Sequence, residues 1–257
     1  MSLKAAILIS AHNDRQKAIA CLEECMRQID TLAAEGKYSF SIYFMDDAST
    51  DGVLEAVQEQ FPKVISSRST SHLHINGALR SLWSEAAKEK PDFYIWIDSR
   101  IVLKDKAILT LLENSTFLSH NAIIAGSVAD ADGNIIRGGR TKKGKIKEPD
   151  PVIPVPTFTF DGNIALIPSS AYDVIGMTSS NRKDFLGDWE YGLKAFRNDV
   201  PRVIAPGILA TGDGLKGNGS SQKLRFIYDL ASNGPLFAVR HFFEMLFKSV
   251  FTSKELN

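Results

Sequence analysis

The stretch Asp92-Phe93-Tyr94-Ile95-Trp96-Ile97-Asp98-Ser99-Arg100 constrains the fold more than any other, because an unbroken apolar and aromatic run stops abruptly at an acidic and then a basic side chain. A run without polar alternation reads as a strand buried on both faces, as in a parallel sheet covered by helices. In open α/β sheets, ligands sit just beyond the carboxyl ends of such strands. Asp98 and Arg100 are therefore expected to face a cleft.

The same arrangement recurs upstream. Residues 5–10 (AAILIS) form an apolar run that ends in Ala11-His12-Asn13-Asp14, a polar turn suited to capping a helix. Apolar positions Ile19, Leu22, Met26, Ile29 and Ala33 then recur at three- and four-residue steps, the period of a helix with one buried face. Residues 40–45 read as a second strand, 46–52 (DDASTDG) as a second polar loop and 53–61 as a second helix. Residues 64–66 read as a short third strand and 76–88 as a helix leading into the opening stretch. This alternation predicts parallel strands joined by right-handed crossovers, with the polar loops gathered along one sheet edge.

Beyond Arg100 the texture changes. Residues 104–118 read as a helix, 122–128 as a strand, and Asp132-Gly133 as the turn of a hairpin returning through residues 134–137. Residues 138–156 are rich in proline and carry Arg140, Lys142, Lys143, Lys145 and Lys147. They read as a solvated mobile loop or, functionally, as a flap over an anionic ligand or acceptor. Residues 158–167 form a strand interrupted at Asp161-Gly162-Asn163, Ser169 or Ser170 is placed to cap a helix at 171–175, and residues 187–191 open a longer helix ending near Asn198. Residues 236–251 have the spacing of an amphipathic helix with a phenylalanine-rich face, packed on its own domain or across a homodimer; peripheral membrane contact is the lesser alternative.

Thirty Lys and Arg balance thirty Asp and Glu, so charge gives no case for nucleic acid. Cys21 and Cys25 lie one helical turn apart in an apolar pattern, which suits buried free thiols in a reducing compartment rather than a disulfide. No spacing of His, Cys, Asp and Glu resembles a metal cluster. With no signal-peptide pattern and no apolar run near the ~18 residues of a membrane span, a cytoplasmic protein is expected.

Three polar clusters, 11–14, 46–51 and 98–100, fall at strand ends. Carboxylates there can accept hydrogen bonds from a base imide or from ribose hydroxyls, whereas a phosphate needs an intervening cation. A nucleotide bound base-first is the implied ligand. Each cluster taken alone is equally suited to capping the helix that follows it.

ILISAHNDR, FMDDASTDG, YIWIDSRIVL, FDGNIALIP and FLGDWEYGLKAFR, in that order, resemble the motifs of an inverting glycosyltransferase of family 2 with the GT-A fold. The resemblance covers roughly the first two hundred residues, the length of one domain. It implies an α/β fold with a mostly parallel central sheet flanked by helices and a C-terminal helical extension. Residues 1–220 would form the GT-A domain (1–103 for the nucleotide, 104–220 for the acceptor) and 221–257 the extension. It places Ala11, His12, Asn13, Asp46, Asp47, Gly77, Arg80 and Asp98 along the nucleotide, without deciding whether Asp46 or Asp47 reaches the base. It makes Asp188 the general base, with Asn163, Trp189 and Glu190 as acceptor or supporting residues. The implied partners are a nucleoside-diphosphate sugar (UDP, dTDP or GDP) and a saccharide or lipid-linked acceptor, as in surface-polysaccharide synthesis at the inner face of a membrane. No GxGxxG fingerprint follows the first strand, which counts against a dinucleotide-binding dehydrogenase.

Two positions depart from the family pattern. Its Asp-X-Asp, whose last Asp helps hold Mg²⁺ or Mn²⁺, is here Asp98-Ser99-Arg100, and the histidine usual after the last strand is absent from residues 210–214. A guanidinium cannot ligate a metal. Arg100 would then grip the diphosphate itself with no metal cofactor. The alternatives keep the ion with Asp98 as its only family-type ligand, or turn the fold into a non-catalytic nucleotide- or saccharide-binding protein.

Overall fold

In β1 (Leu3–Ala11), β2 (Tyr38–Asp46) and β4 (Phe93–Asp98), side chains alternate between two separate cores, which is why these runs contain so few polar residues, whereas the short edge strand β3 (Ile65–Arg68) is largely exposed and polar. Ile7, Ile9, Phe44, Ile95 and Ile97 pack on one face with α1 (Arg15–Ala34), while Leu8, Tyr43, Tyr94 and Trp96 pack on the other with α3 (His74–Ala86). Helix α2 (Val53–Gln60) connects β2 to β3 and joins the first core through Val53 and Val57. The four strands are parallel, in the order β3-β2-β1-β4. Ala11 stands opposite Asp46 and Ser10 opposite Asp98, so the three predicted polar clusters share one edge. The computed structural model describes residues 2–180 and 186–213. The helix expected at 236–251, the extension from residue 221 and the dimer contact assigned to it lie outside the described residues.

The second half mixes directions. It comprises β5 (Ile101–Leu103), α4 (Ala107–Phe117), β6 (Ile123–Ala129), β7 (Ile135–Arg137), β8 (Gly139–Arg140), β9 (Val155–Pro156), β10 (Thr159–Phe160), β11 (Ile164–Pro168), α5 (Ser169–Ile175), α6 (Leu186–Arg197) and β12 (Arg202–Gly212). The main sheet continues from β4 through β11, β6 and β12 to β5. Strand β11 is antiparallel to β4, with Ile164 opposite Ile97. Its start therefore lies where β4 ends, which brings residues 161–163 to the same edge as the clusters of the first half.

Several local expectations are corrected. The helix expected from residue 104 starts only at Ala107, because after β5, which runs antiparallel to β12, the Lys104 N–H still donates to the Leu209 carbonyl. Helix α5 has Pro168 at its N-cap position and no side-chain cap; the Ser170 hydroxyl donates instead to the carbonyl of His120. Asp14 does not cap α1 either. The Arg15 N–H donates to the Asp51 carboxylate, 2.8 Å away, so the second polar loop caps the first helix. The basic loop contains β8 and β9 and is pinned at both ends rather than simply solvated. Cys21 and Cys25 are buried and free. No helix among the described residues is long and apolar enough to cross a membrane.

Candidate active site

The first two polar loops are locked together. Asn13, with φ of 51°, donates its N–H to the Ser49 hydroxyl (3.0 Å) and accepts from the Thr50 N–H (2.9 Å). Asp46 is fully buried: one oxygen accepts from the Ser49 N–H (2.8 Å) and the other from Arg68 Nε (2.6 Å), while Arg68 Nη2 donates to both oxygens of Glu55. Asp46 thus organises the loop. Asp47 faces the other way. Its Oδ1 accepts from the Leu73 N–H (2.6 Å) and the Ser69 hydroxyl (3.1 Å), and its Oδ2 lies 2.8 Å from His72 Nδ1. The His12 ring donates through Nδ1 to the Asp47 carbonyl (2.6 Å) and stacks on His72 with centroids 4.0 Å apart. Ala11 is buried at the end of β1 beneath this group.

At the end of β4, Arg100 folds back on Asp98. Nε and Nη2 reach the two carboxylate oxygens at 2.9 and 2.7 Å, the Arg100 N–H adds a third bond at 3.0 Å, and Asn163 Nδ2 donates a fourth at 2.9 Å. Burial opposes ionisation of Asp98, but the hydrogen bonds and charge of Arg100, with Asn163, outweigh it and hold the carboxyl below its usual range. The guanidinium is half-exposed, and among the described residues its Nη1 bonds to no other group. A divalent ion at this position would meet a carboxylate already engaged and a cation beside it. These residues do not fit Mg²⁺ or Mn²⁺.

Asp188 lies in the first turn of α6, partly accessible. The Gly162 N–H donates to it at 2.5 Å and the Trp189 N–H at 2.7 Å. Burial, and then the charge of Asp161, outweigh those bonds and the more distant Arg137, and push its carboxyl up to about 7. Asp161 is buried; Arg140 Nη2 (2.6 Å) and Nε (3.0 Å) hold one of its oxygens and the Trp189 indole (2.7 Å) the other. The Arg140 guanidinium also sits 5.6 Å from the Trp189 ring centroid. Gly162 permits the approach of helix to turn, since a Cβ there would lie 2.8 Å from that of Asp188.

The turn 161–163 therefore links the two sides. Asn163 holds Asp98, Gly162 holds Asp188, and Asp161 anchors Trp189. Glu190 is partly buried in the same helical turn. Gly77 and Arg80 lie on α3, where Arg80 donates to the carbonyl of Thr178. The sequence reading missed His72, Asp161 and Arg140. Asp161 left a signal as part of the interruption between β10 and β11, and Arg140 as one cation of the basic loop. The absence of any metal-like spacing is also corrected: His12, Asp47 and His72, far apart in the chain, form a group able to hold a metal ion.

The family model for glycosyl transferase family 2 matches residues 6–186. No curated protein sequence matches the chain. Among solved structures, residues 1–349 of S. aureus TarS in complex with UDP-GlcNAc align with a TM-score of 0.63 and 13% identity, over 90% of this chain and 68% of that one. GalNAc-T7 with UDP, GalNAc and Mn²⁺ aligns at 0.65 and 14%, over 89% and 48%. The Pyrobaculum calidifontis mannosyltransferase PcManGT with GDP-Man and Mn²⁺ aligns at 0.61 and 15%, over 94% and 69%. The chain thus spans about two thirds of the TarS fragment and half of GalNAc-T7. These likenesses establish the GT-A fold, and the family match over well more than half of the chain establishes that it belongs to glycosyl transferase family 2.

Proposed function

We propose that this protein is an inverting glycosyltransferase that moves a sugar from a nucleoside-diphosphate sugar to a saccharide or lipid-linked acceptor without a metal at the diphosphate. The observation that carries the reading is the joint placement of Asp188 and Arg100 on the two sides of the 161–163 turn, one basic and one cationic. Inverting displacement needs a base to take the proton from the acceptor hydroxyl as that oxygen attacks the anomeric carbon. A carboxylate with a pKa near the operating pH suits that role better than an ordinary aspartate. On the opposite face of the sugar the departing diphosphate gathers negative charge, and Arg100, oriented by Asp98, keeps Nη1 available to meet it. The complexes of TarS with UDP-GlcNAc and of the mannosyltransferase with GDP-Man support a nucleotide sugar as donor. The enclosure of Asp46 by Arg68 and Ser49 supports Asp47, whose Oδ2 meets only the exposed His72 ring, as the loop carboxylate that receives the base.

The test is transfer from UDP-, dTDP- and GDP-sugars to saccharide and lipid-linked acceptors, with EDTA or with Mn²⁺, reading the anomeric configuration of the product by NMR. Transfer in EDTA with configuration opposite to the donor's is the expected result. Retained configuration would overturn the mechanism, and nucleotide binding with no transfer to any acceptor would favour a binding protein on this fold.

A further inference from the structure

We propose that His12, Asp47 and His72 bind one divalent transition ion of the Zn²⁺ class, at a place separate from the diphosphate, and that this ion and a nucleobase exclude one another there. The exclusion rests on the reading of these loops as the base subsite; the ion site itself does not. One ring nitrogen of each histidine and one carboxylate oxygen of Asp47 all lie within 4.8 Å of one another. A zinc ion sits about 2.0–2.2 Å from such donors, and two imidazoles with one carboxylate leave the fourth tetrahedral position open.

The donors are also held in place. Asp47 is buried and fixed through Oδ1 by the Leu73 N–H and the Ser69 hydroxyl, which aims Oδ2 at His72. His12 is fixed by its bond to the Asp47 carbonyl, and His72 is packed between His12 and His74, the latter with centroids 4.1 Å apart. Both His12 and His72 are exposed, so an ion can enter from solvent, and small ring movements can close the site around it. Imidazole donors favour Zn²⁺, Ni²⁺ and Cu²⁺ over Mg²⁺, which prefers an all-oxygen shell. Asp98 and Arg100 take no part. A base lying against His12 and donating to Asp47 would need the same space and the same oxygen.

The experiment is titration of the full chain with ZnCl₂ by calorimetry and with CoCl₂ by visible absorption, for the wild type, His12→Ala and His72→Ala. The expected result is one ion per chain, a Co²⁺ d–d spectrum of low coordination number, and affinity unchanged by excess Mg²⁺. Each variant should bind more weakly by more than ~100-fold, beyond the 10- to 100-fold that loss of an outer partner costs. Both side chains are exposed, so the variants are expected to fold, and their melting temperatures check this. No stoichiometric binding, or wild-type affinity in both variants, overturns the site. Uridine, thymidine or guanosine, which lack the diphosphate that would itself chelate the ion, should then release the bound Co²⁺. If all three leave the spectrum unchanged, the exclusion falls and the base does not bind here, while the ion site stands.

Discussion

Asp98 and Asp188 flank the same three-residue turn, yet their surroundings drive them in opposite directions. Asp98 is buried against a guanidinium and an amide, and its carboxyl is held below the usual range. Asp188 receives two backbone N–H groups but has Asp161 as its charged neighbour, and its carboxyl rises to about 7. Burial penalises both charges, so the neighbour decides the outcome: a cation in one case, a second carboxylate in the other. Where environments separate the titration of two acids in one site, roles separate as well. Asp98 becomes the anchor of an arginine, and Asp188 becomes the group with useful basicity.

The largest expected effect breaks the basic side of this comparison. Asp188→Asn keeps an acceptor for one of the two N–H groups but cannot take a proton, so transfer should fall about 10²- to 10⁴-fold while nucleotide affinity, measured by calorimetry, stays as it is. Unchanged turnover would remove Asp188 as the base. The next effect inverts the other side. Arg100→Asp restores Asp-Ser-Asp, removes the cation and frees Asp98 for an ion. UDP affinity in EDTA should drop about 10- to 100-fold, the worth of one charge-assisted hydrogen bond, and recover on adding Mn²⁺. A variant that binds UDP in EDTA as tightly as the wild type would mean that Arg100 does not touch the diphosphate.

A smaller effect tests the turn itself. Gly162→Ala would set a methyl group 2.8 Å from Asp188 Cβ and 3.1 Å from the Trp96 ring, neither of which is a flexible tip. Overpacking of this kind costs roughly 1–3 kcal/mol. Urea unfolding should show that loss, together with a fall in turnover as Asp188 is pushed from the Gly162 N–H. Full stability and full activity would show that the helix can retreat from the turn without consequence.

What the sequence disclosed follows from which contacts are local. Strands β1, β2 and β4 were legible because burial on both faces demands apolar runs, and the polar loops at their ends follow directly from parallel topology. The place of Asp188 at the start of a helix was legible for the same reason. Its raised pKa was not, because its burial and the approach of the Asp161 carboxylate arise only through the antiparallel course of β11 beside β4. Arg140 looked like one more charge in a basic loop; in the structure its guanidinium is mostly buried against Asp161 and Trp189. The group of His12, Asp47 and His72 depends on three loops meeting at one sheet edge, and no spacing along the chain encodes that.

The smallest effect separates the two carboxylates by their pH dependence. A carboxyl held below its unfolded value stabilises the fold above that unfolded value, near 3.9, and loses the contribution as pH falls; Asp98 is of this kind. A carboxyl raised above its unfolded value acts in reverse. Between the unfolded value and about 7, folded Asp188 retains a proton that the unfolded chain has released, so stability falls as pH rises through this window. Unfolding free energy measured from pH 5 to pH 8 should therefore decline more steeply in the wild type than in Asp188→Asn, which has no charge to bury. The turnover of the wild type should climb across the same range, as Asp188 loses its proton and becomes able to accept one. Parallel stability curves for the two proteins would show that Asp188 ionises in the fold as it does in the unfolded chain, and the contrast with Asp98 would then reduce to geometry alone.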